Sequence, residues 1–476
     1  MQENQRLLDN GRFYHRQGRL AEAADIYRQV ARAEPGNGLA HHLLGLVHHQ
    51  QGRNAEAMQA LGESVRLEPG NPLFRTGLAE AHFVLKQPAE AAAALAEAKT
   101  LEPQTGPLLL RQAVLWVQLE RPEEAYEACR RALALQPDFP DAEQVMGMLQ
   151  RERGELADAL RRFATARRAS PAPVDPATGY AMALLAAGDH AGLEALDEPA
   201  DPRNRYREAV LKAIAAWHRN AVPDCAGWLA AADRAAAARG GRSEDVYESY
   251  HKHMEALFAE RQKSEAPYAG SPTASASAIG DAQVLAAAHL VLPIGGAPTR
   301  ILPAFVPGCR AFHLVRRANN ACRTAFEAAL DRQPAGQLVI ASVGDLDCRY
   351  TSGFMQDLRR DPTLDGEAII ERTVSLYADW IGWSAKRRKL RLVLQGPAAS
   401  NAPLDVIDQK LRRRYLDLVA LYNAKLAEAA EAAGAGYIDL FAATSDAARR
   451  GRPERFFDAN HVRPLAIAAA VAAAGI

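Results

Sequence analysis

An aspartate and a histidine three residues apart on one loop, Asp458 and His461 in FDANH, offer a carboxylate and an imidazole that can act together. Such a pair suits acyl transfer. A serine hydroxyl is a poor nucleophile near neutral pH, and it needs an imidazole within hydrogen-bond reach and a carboxylate to fix the imidazole's tautomer. Four more loops in the C-terminal half are rich in glycine and polar residues: GDAQ at 280–283, PGCRAFHL at 307–314, VGDLDCR at 343–349 and QGPAASN at 395–401. Cys309 and Cys348 lie within two of these loops, and Ser342 and Ser352 lie just before and just beyond the third. Neither serine sits on the strand-to-helix turn expected of a nucleophile, and nothing local marks either thiol as a thiolate, so both cysteines are expected to be packed.

The loops separate short apolar runs, RILPAFVPG, QLVIASVGD, LRLVLQGP and GYIDLF, from longer helical patterns. Strands alternating with helices predict a parallel sheet, and continuous apolar runs predict that both its faces are covered, giving a three-layer α/β domain. In open sheets of that kind ligands bind outside the carboxyl ends of the strands, where these loops fall. The domain is expected at 279–476, after a linker at 264–278, SEAPYAGSPTASASA, rich in small residues and proline. The basic run AKRRKLR at 385–391 reads as a solvated helix end.

The first half has a different rhythm. Ala23, Ala57, Ala91, Ala125 and Ala159 recur every 34 residues, as do Pro35, Pro69, Pro103, Pro137 and Pro171, with a third column at Gly11, Gly45, Ala79, Ala113, Gly147 and Ala181. Each unit reads as helix, tight turn, helix, with small residues where the helices cross and proline where the second helix must stop. These columns resemble the tetratricopeptide repeat family over roughly residues 4–195, with five clear units and a degenerate sixth that keeps its turn at Gly188. The resemblance implies an all-α right-handed superhelix at 1–263, helical cap included, whose concave surface docks a protein or peptide. A spacer or dimerisation element is the plainer reading. His41, His42, His48 and His49 cluster on one such helix without acidic support, so solvated or packed histidines, and no metal, are expected there.

Taken in order, the C-terminal loops resemble the SGNH or GDSL hydrolases, esterases and acyltransferases with a flavodoxin-like sheet, and a bacterial subgroup whose blocks read GDSH, glycine then WHL, GEIDCR and DxxH. The resemblance implies His461 as general base, Asp458 as its orienting acid and Gly308 as an oxyanion donor. Gly344, Asp347, Cys348 and Arg349 match the third block, with Asp345 in place of its glutamate. Two positions depart from the pattern. The first block reads Gly280, Asp281, Ala282, so a methyl group stands at the nucleophile position, and Leu346 stands where the wider superfamily has an oxyanion asparagine. A natural pseudoenzyme, a serine-to-alanine change and a different register of the motif are the three readings of Ala282. Arg349 either binds an anionic group or braces Asp281 and Asp347, and His313 either lines the pocket or packs behind the first helix.

Lys plus Arg and Asp plus Glu balance at 57 each, which gives no electrostatic footprint for nucleic acid. The polar N-terminus and the lack of long apolar runs predict a soluble cytoplasmic protein, and the five scattered cysteines predict reduced thiols. Two functions follow: a repeat-tethered esterase-like protein acting on acyl esters, on glycans among others, with no cofactor and its nucleophile missing; or a scaffold whose degenerate α/β domain binds a ligand without turning it over.

Overall fold

The computed structural model describes residues 2–169, 176–238, 246–315, 320–349, 353–361, 363–401, 408–458 and 460–476. The chain divides into two compact units between Leu149 and Gln150, apart from a short piece at 168–170 that groups with the first.

The first unit is a run of helical hairpins: α1 (Gln2–Arg16) with α2 (Leu20–Ala33), α3 (Gly38–Gln50) with α4 (Asn54–Leu67), α5 (Pro72–Val84) with α6 (Pro88–Thr100), and α7 (Gly106–Gln118) with α8 (Pro122–Leu135). The alanine column is buried in each. Gly11 and Gly45 are glycine for want of room, since a Cβ would lie 2.5 Å from the Tyr27 ring or 2.6 Å from Leu61 Cγ. Every second helix ends two or three residues before its proline, and Asn37, Asn71 and Thr105 cap the next one by accepting from backbone N–H groups. The turn inside each hairpin needs a left-handed residue, supplied by Gly18 and Gly52 but by Lys86 and Glu120 in the next two hairpins, at φ of 60° and 57°.

The repeat pattern continues through α9 (Pro140–Glu152), α10 (Leu156–Ala169), α11 (Pro176–Ala187) and the short α12 (His190–Glu194). Then follow α13 (Pro202–His218), α14 (Val222–Ala238) and α15 (Val246–Lys263). These last three, expected to close the repeat array, belong to the second unit and share one hydrophobic cluster with the sheet. Trp217 Nε1 donates to the Leu285 carbonyl at 3.0 Å, His289 Nε2 meets the Trp217 carbonyl at 2.8 Å, and Arg463 pairs with Glu260 at 2.7 Å.

Among the described residues the sheet has six strands: β1 (Ala274–Gly280), β2 (Val291–Ile294), β3 (Ala297–Phe305), β4 (Leu338–Ser342), β5 (Arg391–Gln395) and β6 (Gly436–Ile438), in the order β2-β3-β1-β4-β5-β6. Five are parallel, and β2 runs antiparallel to β3, so the sheet is mixed where an all-parallel one was expected. The four apolar runs read from the sequence are β3 to β6. The hairpin β2–β3 turns on Gly295 and Gly296, both at positive φ, as a two-residue hairpin requires. β1, the central strand, begins at Ala274, inside the stretch expected as linker; small side chains fit between its two neighbours.

Helices α16 (Gln283–Ala287), α17 (Ala311–Leu314), α18 (Ala321–Asp331), α19 (Asp345–Cys348), α20 (Gly353–Arg360), α21 (Gly366–Arg387), α22 (Gln409–Ala432), α23 (Leu440–Thr444) and α24 (Pro464–Ala474) complete the unit. α16 and α24 join α13 and α15 in one cluster, while α18, α21 and α22 pack in a second that includes the alternate side chains of β1, β4 and β5. AKRRKLR forms the end of α21, a turn and the start of β5. Among the described residues no helix is long and apolar enough to cross a membrane.

Candidate active site

The carboxyl end of β1 carries Gly280, Asp281 and Ala282, and α16 starts at once. Gly280 pairs with Ser342 of β4, and a Cβ there would collide with the Ser342 carbonyl, so the strands approach too closely for another residue. Ala282 precedes the first residue of α16 and is buried. A hydroxyl at this point would stand on a strand-to-helix turn, the geometry a nucleophile requires.

Asp458 and His461 lie on the loop before α24. His461 Nδ1 meets Asp458 Oδ2 at 2.7 Å, while Asp458 Oδ1 accepts from the backbone N–H of Asn460 at 2.7 Å and of His461 at 2.8 Å. Partial burial pushes the Asp458 carboxyl up, but the His461 ring and these two N–H groups outweigh it and hold the group well below the usual carboxylate range. The aspartate is thus a fixed anion that leaves Nε2 as the free nitrogen of His461. Asn401, from the QGPAASN loop, donates to the Asp458 carbonyl at 2.9 Å.

The β1 turn and the dyad loop are joined by Gln283, whose Nε2 donates to the Asn460 carbonyl at 3.1 Å and reaches Asp345 Oδ1 at 3.4 Å. Asp345 also takes both Nε and Nη2 of Arg349, at 3.0 and 2.8 Å. Burial works against the Arg349 guanidinium, but Asp345 and Asp281 more than offset it. Arg349 therefore braces acidic groups, with Asp345 as its direct partner.

Asp281 accepts from the Gly308 N–H at 3.1 Å, and burial pushes its carboxyl up to about 6 despite Arg349 nearby. Gly308 sits at φ +68°, and its amide, expected to serve an oxyanion, is engaged by this carboxylate. Asp347 caps α17 by accepting from Ala311 at 2.8 Å and Phe312 at 3.4 Å; burial pushes it too up to about 6. Gly344, at φ +112°, lies against the Tyr422 ring, where a Cβ would come within 2.8 Å. His313 stands apart from the dyad and pairs through Nδ1 with Cys322 Sγ at 3.6 Å.

The alternative nucleophiles are placed as follows. Ser342 accepts from Gln395 Nε2 at 2.8 Å inside the sheet, and Ser352 falls outside the described residues. Cys309 and Cys348 are buried, which pushes both thiols well up and away from the thiolate. In the repeats, His42 stacks on Phe74 at 5.0 Å, and burial lowers it to about 3.

Two residues of the site come from α15, which no motif marks. The His253 ring stacks on His461, centroids 4.2 Å apart and planes at 19°, and Tyr250 packs edge-on against Phe305. Burial pushes the Tyr250 hydroxyl well up, with Asp281 adding to it. Elsewhere Asp233, His251 and Glu255 bring ligand atoms within 4.8 Å of one another, with Tyr206 Oη at 3.3 Å from His251 Nδ1; Asp233 is exposed, Glu255 half-buried and His251 buried.

The tetratricopeptide repeat family matches residues 8–72 and 48–113, and such repeats occupy the N-terminal part of the chain. A thermophilic tetratricopeptide repeat protein of Thermus thermophilus is 24% identical, covering 38% of this chain and 99% of that one, at a TM-score of 0.33. One from Parabacteroides merdae is 18% identical, covering 54% and 100%, at 0.38. The Pseudomonas aeruginosa protein pilF is 15% identical, covering 48% and 90%, at 0.35. No curated protein matches the chain.

Proposed function

We propose that the C-terminal unit holds an acyl-ester site of the SGNH type whose attacking hydroxyl is replaced by the Ala282 methyl, on a chain whose repeats dock a protein or peptide. The second half of this reading follows from the repeats themselves, which stack into surfaces suited to extended peptides and partner helices. The first half rests on one observation above all: the Asp458–His461 pair at 2.7 Å, with the aspartate locked by two further N–H bonds. The order of the five parallel strands, β3-β1-β4-β5-β6, is that of flavodoxin-like sheets and accords with it.

In a serine-bearing form the steps would be these. His461 Nε2 takes the hydroxyl proton as the oxygen attacks the acyl carbonyl carbon, and Asp458 stabilises the imidazolium. The tetrahedral intermediate collapses, the C–O bond to the alcohol breaks, and His461 returns the proton to the leaving oxygen. Water, activated by the same imidazole, then releases the acid. The present chain has no such oxygen but keeps the histidine–aspartate pair, so on this reading an acyl ester, on a glycan for example, would be bound and not cleaved.

A purely binding role is favoured by a separate observation: the Gly308 amide already serves Asp281, and Ala282 is only 2% exposed. Hydrolysis of p-nitrophenyl acetate by Ala282→Ser separates the two. Activity that appears with serine and vanishes on adding His461→Ala supports the disarmed esterase; a folded Ala282→Ser chain that stays inert rejects it in favour of the binding role.

A further inference from the structure

Helix α15 brings His253 onto the dyad, face to face with His461 at 4.2 Å. His253 is 1% exposed, and its ring lies at the edge of hydrogen-bonding reach of the Ala282 backbone, so it touches both the face of His461 and the turn that carries position 282. A buried imidazole with only a marginal hydrogen bond is costlier than the phenyl ring that would fill the same space, and this one stands between the candidate base and the turn that carries position 282. Phe457, edge-on at 6.0 Å, closes another side of the ring.

We propose that His253 is a positioning residue of this site: its face holds the His461 ring in the plane that directs Nε2 toward position 282. This rests on the acyl-transfer reading above. Asp458 fixes His461 at one atom, Nδ1, and leaves the ring free to pivot about that bond; the stacked face of His253 removes the pivot. It also gives the imidazolium formed during proton transfer an aromatic face to rest on, from which water is excluded. A second charge so close would be repelled, and burial lowers the His253 ring well below its ordinary value, so His253 remains neutral while His461 cycles.

The test compares His253→Ala, His253→Leu and His253→Phe. In the chain as it stands, NMR relaxation on histidine-labelled protein reads the motion of the His461 ring. His253→Phe should keep the ring fixed, whereas Ala and Leu should free it to pivot and broaden its Cε1–H signal. In the Ala282→Ser background, Ala and Leu should lower kcat for p-nitrophenyl acetate about tenfold with KM nearly unchanged, the rate equivalent of one desolvated cation–ring contact, and Phe should restore most of it. Leu fills the space without an aromatic face, so it separates stacking from folding. A folded Leu variant whose His461 ring is as fixed as in the unaltered chain overturns the proposal. If Ala282→Ser is inert, the acyl-transfer reading fails, and the ring-motion comparison still decides whether His253 positions His461.

Discussion

The repeat unit and the sheet unit bury similar side chains but draw them from very different distances along the chain. In the repeats each helix packs on its sequence neighbours, so Gly11 meets Tyr27 and Gly45 meets Leu61. In the second unit Trp217 bonds to Leu285, Glu260 to Arg463, and His253 stacks on His461. A local lattice tolerates damage repeat by repeat, since stability there is close to a sum over neighbours. A unit closed by long-range contacts should lose its core and its candidate site together, because α15 belongs to both.

The strongest way to break this contrast is Trp217→Ala, which empties a fully buried site and removes the Leu285 bond, at about 3–5 kcal/mol. Hydrogen-exchange mass spectrometry should show lost protection in β1 and β4 with the helices up to Leu135 unchanged. Loss spread through the repeats would refute the separation. Gly45→Leu is the converse, a clash with Leu61 that overpacking puts at about 1–3 kcal/mol. Here protection should fall in α3 and α4 alone, and a change in the sheet amides would count against local stacking.

A third test uses pH. Burial holds His190, His218 and His253 below their ordinary value, His190 at about 4. Below about pH 6.5 the unfolded chain takes protons these rings refuse, so stability falls as pH falls. Asp281 and Asp347, raised to about 6, act in the opposite sense: the folded state binds their protons first, which returns stability below that value. His253→Phe should therefore lessen the loss between pH 6.5 and 5.5 by about 1 kcal/mol. Denaturant titrations at both pH values would show it, and an unchanged difference would mean that His253 is already protonated in the fold. The smallest effect is in the repeat turns, where Lys86→Gly relieves a left-handed residue and should stabilise by about 0.5–1 kcal/mol. A melting temperature that drops instead would show that the lysine side chain supports its turn.

The same contrast explains what could be read from the sequence. Local packing repeats, so the alanine and proline columns announce the hairpins. Asp458 and His461 were legible because their partnership lies within one loop. β1 was hidden by its composition, since ASASA reads as linker although it is the centre of the sheet. The β2–β3 hairpin had a local signal, two glycines between apolar runs. So did α13: from Glu208 to His218 every residue is buried, as in a helix enclosed on all sides and unlike the cap of an array. His253 and Tyr250 had none, because nothing in a helical stretch tells which distant loop it will cover.

The central claim, that position 282 faces a working histidine–aspartate pair, is tested most directly by covalent capture. Ala282→Ser should attack the phosphorus of a fluorophosphonate, fluoride leaving as His461 takes the proton, and intact-mass and peptide analysis should place one adduct on residue 282 that His461→Ala abolishes. A folded Ala282→Ser chain that forms no adduct, or forms it equally without the histidine, would contradict the account.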